Sequence, residues 1–288
     1  MFTVKQKLCY PGDPTKCNED IVGFGKNYCF VMDGASCLSG VEVMGRGSDA
    51  TWLVENMAAG LCQRLDEDDD RPTEEILKDI LLPLKAQYLS VLKEKGMEKP
   101  DDSPSAGLAL FRQRNGKLEF FGLGDCVGVS VLPGGKEFYS LDTNLPNLDH
   151  QALEQMAQLH RQTGIPFLQT RAMCNDLLLA NRKKRNHPDG YWVLDLDTPE
   201  ALIHARQFSW ELTAPVTVAA FSDGFAQLSD VFGLFDGYFQ LFDAMQKSDL
   251  EQLCQRLKDA QDADPDCNDY PRFKLRDDTC ALWGVFTP

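Results

Sequence analysis

Apolar positions recur along this chain with two periods, and they divide it into strands arranged as hairpins and separate amphipathic helices. Short apolar runs bounded by turn residues read as buried strands. Ile21–Phe24 and Tyr28–Met32 flank Gly25-Lys26-Asn27 and form the first expected hairpin. Gly107–Phe111 and Lys117–Phe121 flank Asn115-Gly116, a strong hairpin signal, and Val127–Leu132 and Lys136–Leu141 flank Pro133-Gly134-Gly135. Val216–Phe221 and Thr279–Phe286 are further apolar runs expected as strands. Helical spacing appears between them. Leu53, Met57, Leu61 and Leu65 form the stripe of a helix capped by Ser48. Ile76, Leu77, Ile80, Leu81, Leu84, Tyr88 and Leu92 form the stripe of a second, capped by Thr73 and expected to kink at Pro83. Asp149–Gln162 reads as a third, stopped by Gly164, and Phe225–Lys247 as a helical, aromatic stretch whose rings pack in the core. Ser248 to Glu251 reads as a capping box opening a last helix to about Ala260. Residues 35–47 read as a Gly- and Ser-rich loop, 97–104 as a polar linker and 263–270 as a polar loop. The stretch 142–215 changes character and reads as an insertion or subdomain between core strands. Hairpin strands with separate long helices predict an α+β fold, with helices packed on an antiparallel core.

Composition narrows the class. The length of 288 residues with 43% hydrophobic content allows one large domain or two small ones around a sizeable core. No run of eighteen apolar residues marks a membrane span, and the N-terminal stretch lacks the apolar core of a signal peptide, so a cytoplasmic protein without a membrane partner is expected. The ten cysteines form no Cys-x-x-Cys pair and mostly sit in apolar runs, as Cys29, Cys126 and Cys280 do. They read as small free hydrophobes rather than a disulfide framework. The four histidines show no zinc-ligand spacing with them. A net charge of −15 argues against nucleic acid. It would also repel a phosphorylated substrate unless bound cations invert the local charge. The acid run Asp66–Asp70 reads as a solvated loop.

Three expected strands, far apart in sequence, carry an aspartate at one end: Asp33-Gly34, Asp223-Gly224 and Asp277-Asp278. Oxygen-only donors select hard cations such as Mg²⁺, Mn²⁺ or Ca²⁺. Asp-Gly is also a common turn dipeptide, so turn chemistry and a divalent-metal site both remain open from the residues alone.

Five short motifs run in order across residues 18–286: Asn18-Glu19-Asp20, Phe30–Gly34, Gly122–Cys126, Ser222-Asp223-Gly224, and Asp277-Asp278 before a terminal strand. Together they resemble the ordered motifs of the protein phosphatase 2C family, the metal-dependent serine/threonine phosphatases. The resemblance implies a sandwich of two antiparallel β-sheets flanked by antiparallel helices, four layers in the order α-β-β-α. It implies a single catalytic domain over 1–288, with the family's variable flap within about 142–215. It implies two Mn²⁺ or Mg²⁺ ions: Asp33 bridging both, the Gly34 carbonyl on one, and Asp223 and Asp277 on the other. Glu19 would act through water with Asp20 beside it, and Asp125 would help hold a weaker third ion. The implied reaction is removal of phosphate from phosphoserine or phosphothreonine in a protein partner, by attack of a water bridging the ions.

The chain departs from that pattern. Thr15 stands where the family often has an arginine that holds the phosphate. Lys16 beside it is either a catalytic point charge, though not a bidentate fork, or a solvated loop lysine. Ala35 replaces a histidine that could act as general acid, which would leave a water to protonate the leaving oxygen. Cys126 and Cys280 replace hydroxyl residues and are near-isosteric. These departures keep two alternatives in view: a pseudophosphatase serving as a binding or scaffold module, and a small-molecule phosphoesterase. The basic cluster Arg182–Arg185 reads either as a phosphopeptide dock or as a solvated flap surface.

Overall fold

The computed structural model describes residues 1–288 other than 36, 39 and 101, so parts of the expected 35–47 loop and 97–104 linker lie outside the described residues. In chain order the strands are β1 (Phe2–Tyr10), β2 (Asp20–Phe24) and β3 (Tyr28–Ala35), followed by helices α1 (Asp49–Asp66) and α2 (Thr73–Lys95). The meander β4 (Ser105–Arg114), β5 (Lys117–Leu123), β6 (Val127–Leu132) and β7 (Lys136–Ser140) comes next. Helices α3 (Asn144–Thr163), α4 (Phe167–Thr170) and α5 (Asn175–Arg182) precede β8 (Leu194–Asp195), β9 (Arg206–Glu211) and β10 (Val216–Phe221). Helices α6 (Asp223–Asp230), α7 (Gly237–Lys247) and α8 (Leu250–Ala263) and strand β11 (Thr279–Phe286) complete the chain.

One sheet runs β1-β11-β10-β6-β7, the other β2-β3-β4-β5-β9 with β8 on β4, and the strand pairs in both are antiparallel. The two sheets face each other over Cys29, Val31, Phe111, Phe120, Val218, Cys280 and Leu282. On the far side of β3 and β4, Phe30, Met32 and Leu110 pack against the stripes of α1 and α2. On the far side of β10 and β6, Phe221, Ala219 and Val129 pack against α6, α7 and α8. Strands covered on both faces are mostly apolar on both, which is why Tyr28–Met32 of β3 and Val216–Phe221 read as near-continuous runs. The result is the expected α+β sandwich of four layers. No helix among the described residues is long and apolar enough to cross a membrane.

Local chemistry explains the element boundaries. Asn115 and Gly116 both take positive φ (51° and 75°), the mark of a type I′ hairpin turn. Ser48 caps α1 by accepting from the Ala50 and Thr51 amides at 3.1 and 3.2 Å. Several expectations are corrected. β1 and β9 escape the apolar-run reading because polar residues alternate along them, and both lie at sheet edges. β9 falls inside the 142–215 stretch and pairs with β5. The stretch 225–247 is two helices, broken by Gly233 and Gly237 at positive φ. Asp249, not Ser248, caps α8, accepting from the Glu251 amide. Thr73 is the first helical residue of α2, after Pro72, and Pro83 is carried within the helix. α3 begins at Asn144, five residues before the expected start, where the Asp142 carboxylate accepts from the Asn144 amide at 2.7 Å. The expected linker is partly core: Ser103 is fully buried and Asp102 accepts from the Leu38 amide.

The loop after α8 is held by one buried ion pair. Arg272 and Asp264 meet at 2.8 Å, with side chains 4% and 6% exposed. Asp264 also accepts from the amides of Asn268, Asp269 and Tyr270, and Arg272 donates to the carbonyls of Tyr270 and Leu275. Removing one partner leaves the other charge buried. Arg272→Ala is therefore expected to lower unfolding free energy by about 3–5 kcal/mol in urea titration.

Candidate active site

The acidic strand ends meet at one end of the sandwich. Asp33 lies on the face of β3 that also carries Cys29 and Val31, between the sheets, and Asp20 stands opposite it in register. Asp125 occupies the turn between β5 and β6, Asp223 opens α6 directly after β10, and Asp277 precedes β11. A cavity of about 390 Å³ is lined by Glu19, Asp33, Gly34, Asp125, Asp223 and Asp277. Asp20 is buried and is not on its lining, and Lys16 lines a neighbouring cavity. The Lys16 side chain is 77% exposed and 4.0 Å from Asp13.

Backbone contacts fix this geometry. Asp278 accepts from the Gly12 amide at 2.8 Å and from the Glu19 amide at 2.7 Å, clipping the β1–β2 loop to the start of β11. The Ser48 hydroxyl donates to the Glu19 carboxylate. The Gly34 amide donates to the Glu19 carbonyl at 2.9 Å. Neither Gly34 nor Gly224 has positive φ, so the Asp-Gly pairs are not left-handed turns. Close approach demands the glycines instead. A Cβ at Gly224 would stand 1.9 Å from the Asp278 carbonyl oxygen, and one at Gly34 2.7 Å from the Glu19 carbonyl oxygen.

The cost of gathering these carboxylates appears in their protonation. Burial pushes Asp33 well above the usual carboxylate range, and the charges of Asp20 and Asp223 add to it. Asp125 is pushed up by burial, then by Asp223 and Asp149. Asp223 is pushed up to about 6 by burial and by Asp277. Asp33 and Asp223 lie within hydrogen-bonding reach of each other, an acid–acid contact. Burial also pushes Asp20 well up, partly offset by the adjacent Ser222 hydroxyl. That hydroxyl is committed to Cys280, accepting from its amide at 3.0 Å, and neither Asp20 carboxylate oxygen has a well-formed hydrogen-bond partner among the described residues.

Oxygen donors only, an orphaned buried carboxylate and two carboxyls pressed together fit a hard divalent cation in chemistry. The present spacing has a different counter-charge. Lys274 reaches Asp277 at 2.6 Å; burial works against its charge, but Asp277 overrides this and raises its pKa. No three His, Cys, Asp or Glu side chains among the described residues stand close enough, as placed, to hold one ion.

Three wall residues, Asp149, Arg171 and Lys274, had no motif to announce them, and a fourth, Arg182, belongs to the basic cluster. Asp149, on α3, is pushed up to about 7 by burial and by Asp223. Arg171 and Arg182 come from the α4–α5 segment, and Lys274 from the loop tied down by Arg272. The basic cluster splits: Arg182 lines the cavity, Lys183 is exposed, and Arg185 is a structural ion pair with Asp195 at 3.1 Å. Beside the cavity, Leu153, Ala157, Val231, Tyr238 and Phe273 line a more apolar groove of about 590 Å³.

No family model matches the chain, and no curated protein matches it. Solved structures do match. The serine/threonine phosphatase PstP/Ppp of Mycobacterium tuberculosis is 14% identical, with a TM-score of 0.55 over 100% of this chain and 99% of that one. The catalytic domain of PstP in complex with two manganese ions is 15% identical, with a TM-score of 0.50 over 99% and 98%. The serine/threonine phosphatase of Staphylococcus aureus is 14% identical, with a TM-score of 0.51 over 100% and 96%. The class defined is one of fold: this chain has the phosphatase 2C fold along its whole length.

Metal-free protein should lose stability as pH rises. Asp223 binds its proton more tightly folded, at about 6, than unfolded, at 3.8. Its contribution is therefore complete below about 4 and is lost as pH rises through about 6. The displacement corresponds to about 3 kcal/mol. Chelator-treated protein should show this fall in denaturant titrations from pH 4 to 7. Asp223→Asn should make it shallower, leaving the part due to Asp149, which is pushed up to about 7, and Mn²⁺ should raise wild-type stability most at the upper end.

Proposed function

We propose that the chain is a divalent-metal-dependent phosphoester hydrolase acting on phosphoserine or phosphothreonine in proteins. The observation that carries the reading is the convergence of Glu19, Asp33, Asp125, Asp223 and Asp277, from five separate segments, on one cavity of a phosphatase 2C fold. Residues 1–288 are read as one catalytic unit, with a flap-like insertion within about 142–215. Asp33, Asp223, Asp277 and the Gly34 carbonyl are the ligands of choice for two Mn²⁺ or Mg²⁺ ions. Asp20 and Glu19 stand behind them, and Asp125 serves a third ion. When bound, such ions lower the pKa of a water and neutralise the phosphoryl oxygens.

The chain's own residues do the rest. The sheets hold Asp33 and Asp223 rigidly. Ser48 and Asp278 hold the side chain and backbone of Glu19. A leaving alkoxide needs a proton. Ala35 cannot give one; Asp149 stands on the cavity wall, and without metal its burial and the Asp223 charge push its carboxyl up to about 7. Lys16, mostly exposed and beside Asp13, is the weaker choice for holding phosphate.

The scaffold reading has one observation in its favour: Lys274 already satisfies Asp277. Turnover separates the two. Chelated protein given Mn²⁺ should hydrolyse an aryl phosphate, and Asp33→Asn and Asp223→Asn should each lower kcat/KM by at least about a hundredfold while remaining folded. A phosphopeptide should be a better substrate than the aryl ester. Absence of turnover with Mn²⁺ bound by calorimetry would favour the scaffold.

A further inference from the structure

A phosphate monoester brings up to two negative charges into a cavity already walled by carboxylates. Ions at the acid end answer only part of that charge, so the wall must grip the outer oxygens with a cation of its own. Three cationic side chains line the cavity: Lys274, Arg182 and Arg171. Lys274 is committed to Asp277 at 2.6 Å, and Arg182 has Asp102 at 3.9 Å. No carboxylate among the described residues lies within 4.0 Å of Arg171.

Arg171 is also held in place. Its guanidinium lies over the Phe273 ring, 5.7 Å from the centroid. Its backbone sits between buried anchors: Phe167 and Thr170 on one side and Cys174 on the other. The Thr170 hydroxyl donates to the Phe167 carbonyl at 2.6 Å. Phe273 follows Arg272, so the buried Arg272–Asp264 pair fixes the ring as well. Asp149, across the cavity, feels the Arg171 charge but does not pair with it. A planar fork over an aromatic ring, with no ion pair to a described carboxylate, is pre-organised for a tetrahedral oxyanion.

We propose that Arg171 is the residue that grips the substrate's phosphoryl oxygens, using paired N–H groups of its guanidinium. The ligand's identity as a phosphomonoester rests on the phosphatase reading; the anion grip itself does not. It places phosphate recognition on the α4–α5 wall, opposite in chemistry to the acid end.

The test uses the full chain with Mn²⁺ and inorganic phosphate as probe. Arg171→Ala should raise both the phosphate inhibition constant and KM for an aryl phosphate by about tenfold or more, with kcat changed much less. Arg171→Lys should recover part of the loss, as a point charge without the fork. Arg182→Ala and Lys274→Ala run alongside. Phosphate inhibition and KM within twofold of wild type in Arg171→Ala would overturn the proposal, as would their movement in either companion variant instead. If wild type shows no turnover, the phosphatase reading fails, and the melting-temperature rise given by phosphate in the presence of Mn²⁺ still reads the grip. That rise present in wild type and lost in Arg171→Ala supports it. A rise retained in the variant, or absent from wild type, overturns it. The melting temperature of each variant without phosphate controls for folding.

Discussion

Carboxylates gathered out of bulk water repel one another, and the end of the sandwich is organised around keeping buried Asp20 and half-buried Asp33, Asp125 and Asp223 together in spite of it. Desolvation and mutual charge both push their protonation upward. A loop could not hold such a set, because it would relax until the charges separated or met water. Strand ends can. Asp33 and Asp20 are fixed by pairing between β2 and β3, and Asp223 by the passage from β10 into α6. The apolar sandwich between the sheets therefore does more than stabilise the fold. Its burial supplies the favourable energy against which the acidic cluster is held.

Small contacts then set the fine geometry. Asp278, adjacent to Asp277, spends its carboxylate on two backbone amides, so the β1–β2 loop cannot drift from the start of β11. Gly224 allows the first turn of α6 to lie against the Asp278 carbonyl, which brings Asp223 and Asp277 side by side. Ser48 links the start of α1 to Glu19, so the outer helical layer also registers on the site. Each is a short polar contact between segments far apart in sequence. Loss of any one would shift a carboxylate without removing it, and charge repulsion would amplify the shift.

What could be read in the sequence follows the same physics. The two-faced strands announced themselves as apolar runs, and the aspartates at their ends stood out by contrast, so the acid end and the layers were legible. Alternating edge strands such as β1 and β9 were not, because half their residues face outward and the pattern is diluted by Lys, Gln and Arg. Asp-Gly looked like turn chemistry, whereas Gly224 and Gly34 answer a steric contact that only tertiary structure creates. The wall residues Asp149, Arg171 and Lys274 carry no local signal. One lies on a helix, one in a 3₁₀ turn and one in a loop held by Arg272. The basic cluster misled in the opposite direction, since four adjacent charges suggested one surface and Arg185 is spent inside on Asp195.

The two walls of the cavity are built on separate hydrophobic foundations. The acid end rests on the core between the sheets, where a change of one methylene is felt by many neighbours. The cationic wall rests on a small cluster of Met156, Phe167, Cys174 and Cys267, with Phe273 packed against it. A substitution there can move Arg171 or reshape the neighbouring groove without disturbing the strand ends, because the two cores share no side chain. Chemistry that needs fixed carboxylates is thus placed where the fold resists change. The cationic side chains are placed where they can be altered at little cost in stability. In a chain of net charge −15, that second wall is also where positive charge is gathered at the cavity.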